Sequence, residues 1–250
     1  MTLTPINNFT VLDTVYGKWI VNRHAQYHAE TFIKTGYPVD PDLTSLMISI
    51  VNTLPDNCVV VDGGANTGVV SVPLAHAVKD RGGQVYSFEV QRSLFYALCG
   101  TAALNDLDNL NVFNCGLGAE ATTLSIDNID YSQPQDFGMV SLVDQSRIQQ
   151  QQDHSAVDIV PIDQLGLDRL DFLKLDVEGM EIEILKGAEN TIRTHRPWAY
   201  IEFWTVGKAA VMDWFKDMDY SFYQIKGADV ICCPNEKLSA SGLTFNAPKW

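Results

Sequence analysis

A short apolar run that ends on a carboxylate and then breaks into glycines leaves this chain few folds to choose from. It reads Cys58-Val59-Val60-Val61-Asp62-Gly63-Gly64-Ala65-Asn66-Thr67-Gly68. Cys58 to Val61 has the length and β-branched content of a buried parallel strand. Asp62 then falls at its carboxyl end, where open α/β sheets take their ligands. Gly63, Gly64 and Gly68 permit a tight turn and let backbone come close to a ligand. Val69 to Val78 reads as the helix that returns along the sheet. A dinucleotide fold asks for Gly-x-Gly-x-x-Gly, whereas here three residues, with Asn66 in the middle, separate Gly64 from Gly68. There is no Gly-Lys-Ser/Thr for a triphosphate either. Asp62 disfavours a pyrophosphate on this turn and suits the cationic end of a ligand, such as the amino group of S-adenosylmethionine.

Gln84-Val85-Tyr86-Ser87-Phe88-Glu89 reads as a second strand, again ending on an acid. In nucleoside-binding α/β folds an acid at this place accepts hydrogen bonds from ribose hydroxyls, and it disfavours the extra phosphate of NADP. Asp62 and Glu89 could instead cap the helices that follow them, because helix N-termini favour carboxylates. Two acids at successive strand ends, with a glycine turn between them, favour a nucleoside site.

The third marker is Leu170-Asp171-Phe172-Leu173-Lys174-Leu175-Asp176-Val177-Glu178-Gly179-Met180-Glu181, followed by Leu185-Lys186-Gly187-Ala188. Phe172 to Leu175 is a strand candidate with Asp176 at its end, and Gly179 allows a sharp turn into a helix that begins at Met180. With Val-Asp-Gly-Gly-Ala-Asn-Thr-Gly and Ser-Phe-Glu before it, this block resembles the FkbM-type S-adenosylmethionine-dependent methyltransferases. The resemblance runs from about Cys58 to Glu202. It implies a Rossmann-like class I methyltransferase fold: a mostly parallel sheet, helices on both faces and a closing antiparallel hairpin. The cofactor it implies is S-adenosylmethionine, and the acceptors it implies are hydroxyls of sugars or small metabolites, with glycan or glycolipid head groups close behind.

The order of elements agrees. A strand to Asp62, a helix to Lys79, a strand to Glu89, a helix Ser93 to Asn105 and a strand Asn111 to Leu117 alternate as parallel βαβ units do. Residues 119–155 break this rhythm and read as a variable insertion, polar and ending in Gln149-Gln150-Gln151-Gln152-Asp153. Alternation returns with Val157 to Ile162, Phe172 to Asp176, Ala199 to Glu202 and a helix Ala209 to Met218. Tyr220 to Ile225 and Val230 to Cys232 flank Lys226-Gly227-Ala228-Asp229 as a hairpin. Residues 1–54 read as an N-terminal helical or lid segment, with helices near His24 to Ile33 and Asp42 to Leu54, ahead of one cofactor-binding domain over 55–250.

Composition bounds the partners. With 17 Lys and Arg against 31 Asp and Glu, the formal net charge is −14, and the cations are scattered. Nucleic-acid binding needs a basic patch, so a nucleic-acid acceptor is not expected. No apolar run is long enough to span a membrane, and Met1 to Pro5 lacks the features of a signal peptide. The five cysteines show no metal-like spacing and read as reduced thiols in a cytoplasmic compartment. The oligomeric state is open.

Methyl transfer requires alignment of a nucleophile with the methyl group and, for a hydroxyl, a base. The residues assigned to the cofactor are Asp62, Gly63, Gly64, Ala65, Asn66, Gly68, Glu89, Val90 and Asp176. Asp176 is the first candidate for the base or for orienting the acceptor. Glu178 in the same turn could exchange roles with it, and His24 could reach the site from the N-terminal lid. Lys174 shares a strand face with Asp176 and reads as a structural partner of Asp176 or Glu202. His24 and His28 have the i, i+4 spacing of metal ligands, but Ala25 stands where a zinc hydrolase carries Glu, so no metal is expected. The rival readings are a nucleoside-binding module without catalysis and an NAD-dependent reductase.

Overall fold

The computed structural model describes residues 7–139 and 154–245. Its centre is a seven-stranded sheet in the order β11-β12-β10-β9-β3-β4-β5. The strands are β3 (Val59–Gly63), β4 (Gln84–Phe88), β5 (Leu110–Phe113), β9 (Phe172–Leu175), β10 (Trp198–Glu202), β11 (Tyr220–Gln224) and β12 (Asp229–Pro234). From β5 across to β10 all pairings are parallel, while β12 runs antiparallel to both β10 and β11. The closing antiparallel hairpin is therefore present. The apolar runs of β3 and β9 reflect sheet interior on both faces: Val60, Val61, Phe172, Leu173 and Leu175 are all fully buried.

Helices cover both faces. Among them are α3 (Ser71–Lys79), α4 (Arg92–Leu104), α5 (Glu181–Lys186), α6 (Glu189–His195), α7 (Lys208–Phe215) and α8 (Asn235–Ser241). The chain leaves β3 toward β4 on one side and β9 toward β10 on the other. The β3/β9 boundary is the point where strand order reverses, and the carboxyl ends there open into a crevice.

Three expectations need correction. The run Asn111 to Leu117 is two strands, because Asn114 turns the chain by donating from its side chain to the carbonyls of Glu89 (2.8 Å) and Val90 (3.1 Å). Its second half, β6 (Gly116–Leu117), belongs to a separate three-stranded sheet with β7 (Thr122–Asp127) and β8 (His154–Val160). The expected strand near Val157 to Ile162 is thus in the side sheet, and the insertion carries β7. The glutamine run falls outside the described residues.

The N-terminal segment does hold helices, α1 (Gln26–Thr35) and α2 (Pro41–Val51), but a hairpin of β1 (Phe9–Thr14) and β2 (Gly17–Asn22) precedes them. Trp19 of β2 is fully buried and its indole N–H donates to the Thr67 carbonyl at 2.9 Å, stapling the hairpin to the glycine turn. Trp19, Phe32 and Met47 share one apolar core with Val60 and Val72. No described helix is long and apolar enough to cross a membrane.

Candidate active site

The site is organised by a buried cation. Lys174 on β9 is 2% exposed. Its Nζ lies 3.1 Å from Asp62 Oδ1, donates to the carbonyls of Gly63 (3.2 Å) and Gly64 (2.8 Å), and stands 3.7 Å from Asp176 Oδ2. Burial alone pulls the ammonium pKa down, but Asp62 and Asp176 outweigh it and the net shift is upward. Asp62 is fully buried and also accepts from Ser71 Oγ, which accepts in turn from Ser87 Oγ. A buried charge has to be paired, and this network pairs β3, β9 and α3 across the reversal point. The expected pairing of Lys174 with Asp176 is present, but Asp62 is the closer acid.

Above the network opens a cavity of about 260 Å³. One side is the turn after β3 and the end of β4: Gly63, Gly64, Asn66, Phe88, Glu89, Val90 and Gln91. Asn66 holds φ +52°, a conformation that Asn tolerates better than most residues. Glu89 is 4% exposed. Its carboxylate accepts from the backbone N–H of Asn66 (2.7 Å) and of Gln91 (2.8 Å), so one side chain fixes both the turn and the entry to α4. Burial pushes its pKa up to about 7 against the pull of those amides and of Lys174. Neither acid is a simple cap: α3 starts at Ser71, well past Asp62, and Glu89 faces the cavity as well as the helix entry.

The far side is acidic. Asp176, Glu178 and Glu202 each bring one oxygen within 4.8 Å of the others. Asp176 is a side-chain hydrogen-bond neighbour of Glu202 and favours the protonated form of Glu202. Burial, then Asp176 and Glu178, raise the Glu202 pKa to about 8. Burial, then Asp176 and Glu181, raise that of Glu178 to about 6. Glu178 stands at φ +55°, held there because Glu181 Oε1 accepts from the N–H of Val177 and of Gly179, both at 3.2 Å.

A pH dependence follows. Folded pKa values above the ordinary 4.5 mean that the native state holds protons which the unfolded chain has lost. Stability should therefore fall as pH rises from about 4.5 to about 8, since it declines wherever the native state binds more protons. His28, whose pKa burial lowers, opposes this only in the lower part of the window. Thermal midpoints across the window should show the decline, and Glu202→Gln should flatten its upper part. An unchanged slope in that variant removes Glu202 as the cause.

Of the residues expected at the cofactor, Gly63, Gly64, Asn66, Glu89, Val90 and Asp176 line the cavity, and so does Glu178. Asp62, Ala65 and Gly68 do not. Asp62 is sealed behind Lys174, Ala65 is 1% exposed in the core, and a Cβ on Gly68 would meet Leu98 Cδ1 at 2.5 Å. His24 is also away from the wall. It lies in the turn before α1, so it shares no helix face with His28. The N-terminal segment reaches the cavity instead through Tyr27, His28 and Val39. The sequence reading missed His28, Gln91, the loop Asp136–Met139 and the Gly116–Leu117 corner as wall residues. For His28 the signal was present and was read only as half of a metal pair.

Comparison with known proteins agrees with this architecture. A family model described as "Methyltransferase FkbM domain" matches residues 62–222. The chain is similar to methyltransferase sdnD of Sordaria araneosa, 28% identical over 194 residues that make up 65% of this chain and 72% of that protein. It is similar to methyltransferase 1 of Beauveria bassiana (strain ARSEF 2860), 27% identical over 180 residues, 65% of this chain and 66% of that one. Among solved structures, the methyltransferase FkbM from Methylobacillus flagellatus KT superposes with a TM-score of 0.51 at 17% identity, covering 85% of this chain. The chain spans only 55% of that protein's length, and the likeness speaks for the fold alone.

Proposed function

The chain belongs to the FkbM family of S-adenosylmethionine-dependent methyltransferases, and from that premise we propose that its cavity binds S-adenosylmethionine and methylates a hydroxyl of a sugar or small metabolite. The observation that carries the reading is Glu89, a nearly buried carboxylate on the cavity wall beside the Gly64–Asn66 turn. Each of its oxygens accepts one backbone N–H and keeps capacity for a second donor, which suits a pair of ribose hydroxyls. Phe88, Val90, Leu117, Met180 and Ile184 supply apolar wall for a flat ring. Asp176, Glu178 and Glu202 suit a ligand end that carries positive charge. When bound, the cofactor supplies a methyl group on a positively charged sulfur.

The same wall opposes the reductase alternative. Lys174 is its only Lys or Arg among the described residues, and Asp62 and two carbonyls already hold it. A pyrophosphate would meet carboxylates with no free cation. For the acceptor, the rim offers Tyr27, 55% exposed, and Met139, 70% exposed, as an apolar platform of the kind sugars and small rings lie against. Asp176 and Glu202 line the same cavity with oxygens able to orient a hydroxyl.

Calorimetry with S-adenosylhomocysteine tests the reading. Glu89→Gln keeps the shape and removes the charge, and it should weaken binding by about 1.5–3 kcal/mol, the range for hydrogen bonds to charged groups. Equal affinity in the variant takes the ribose away from Glu89. Tighter binding of NAD or NADP than of S-adenosylhomocysteine by the unaltered chain rejects the reading altogether.

A further inference from the structure

We propose that His28, rather than one of the carboxylates, is the general base that takes the acceptor's proton. The inference rests on the methyltransferase reading of the cavity and adds to it the identity of the proton acceptor.

His28 is on the first turn of α1 and lines the same cavity as Gly64, Asn66, Glu89, Asp176 and Glu202. Its imidazole packs edge-on against Tyr27, ring centroids 5.9 Å apart. A Cβ on Gly138 would stand 3.9 Å from His28 Nε2 and 3.3 Å from Asn66 Nδ2, so the ring closes onto the loop that also touches the glycine turn. Nδ1 is buried and has no hydrogen-bond partner among the described residues. A buried polar atom left this way costs about 1–3 kcal/mol, which a rotation of the ring toward a ligand group in the cavity would recover. The tautomer of a histidine is set by the partner that its second nitrogen holds. No described partner fixes Nδ1, so this ring can turn a lone pair toward an arriving hydroxyl.

The carboxylates are worse placed. Asp176 faces the Lys174 ammonium at 3.7 Å, and Glu202, its pKa raised by burial and by Asp176 and Glu178, holds its own proton. Glu178 is engaged in its own interactions. Burial keeps the imidazole neutral at pH 7, while Asp136, Asp176 and Asp40, the charged groups facing it from the loop, from the end of β9 and from the start of α2, favour the imidazolium once it forms. In the step, the acceptor O–H bond breaks and its proton passes to the imidazole. The freed oxygen pair bonds to the methyl carbon, and the carbon–sulfur bond breaks with its electrons left on sulfur.

The test combines binding, ring NMR and rate on the whole chain. S-adenosylhomocysteine should bind the unaltered chain and His28→Gln within about threefold of each other. Failure to bind the unaltered chain rejects the cavity's assignment itself, and tight binding with a silent His28 rejects only the base. In histidine-ring NMR, the signal missing from His28→Gln should titrate below 6.5, the ordinary histidine value, and should move when S-adenosylhomocysteine is added. A ring titrating at or above that value, or one that ignores the ligand, overturns the proposal without any turnover being measured. Label transfer from methyl-labelled S-adenosylmethionine is then followed with methyl glucoside, catechol and a hydroxy fatty acid as probes. Whichever probe is methylated, His28→Gln should slow it about 10²–10⁴-fold, the scale of general base catalysis, and should erase the acidic limb of the pH profile. A rate within threefold and the same limb would return the base to the acids.

Discussion

Gly64→Ala should cost about 2–5 kcal/mol of stability and abolish S-adenosylhomocysteine binding in whatever fraction stays folded. Gly64 holds φ +75°, and a Cβ there would lie 1.9 Å from the Asp176 carbonyl oxygen. The left-handed conformation costs an L-residue about 1–2 kcal/mol, and forced overpacking adds about 1–3 kcal/mol. The contact is with backbone, so no side-chain rotation relieves it. The turn after β3 and the turn after β9 must separate, and both carry cavity wall. Urea unfolding and calorimetry measure the two effects. A variant as stable as the parent would mean that the two turns do not meet as described. The sequence reading gave this glycine to an approaching ligand; Gly64 does line the cavity, and its missing Cβ also makes room for the Asp176 carbonyl.

Lys174→Met should be as damaging for an electrostatic reason. It preserves most of the side-chain volume but leaves Asp62 fully buried without its cation, and leaves the carbonyls of Gly63 and Gly64 without their donor. Breaking one side of a buried ion pair costs about 3–5 kcal/mol. Adding Asp62→Asn should restore part of that loss, because the uncompensated charge is then gone. The double-mutant cycle reads this directly. Additive losses in the cycle would show that the pair is not coupled and that the lysine acts through packing alone.

Much of the fold was legible because its strands are buried on both faces and their apolar runs end abruptly on acids. Val59–Gly63, Gln84–Phe88 and Phe172–Leu175 needed no tertiary information. The hairpin at residues 9–22 was not legible, since its burial pattern owes more to Trp19 reaching Thr67 than to any alternation along the strands. The split after Phe113 depends on one Asn side chain binding carbonyls about 25 residues earlier, a contact that periodicity does not contain. Of the strand-end acids, Glu89 and Asp176 reach the cavity wall, because topology sets where the strands end. Asp62 misled because a strand-end acid looks the same in sequence whether it faces a ligand or a buried lysine. His28 and the Asp136–Met139 loop come to the wall from distant elements, and spacing along the chain says nothing about such a meeting.

The raised pKa of Glu202 gives the cavity one more property. A cation brought against Glu202 would compete with its proton, because both neutralise the same negative charge. Occupancy and deprotonation would then be coupled, and affinity for a cationic ligand would rise with pH until Glu202 has ionised. A neutral ligand would gain nothing from that exchange, so the acid would favour positively charged over uncharged occupants.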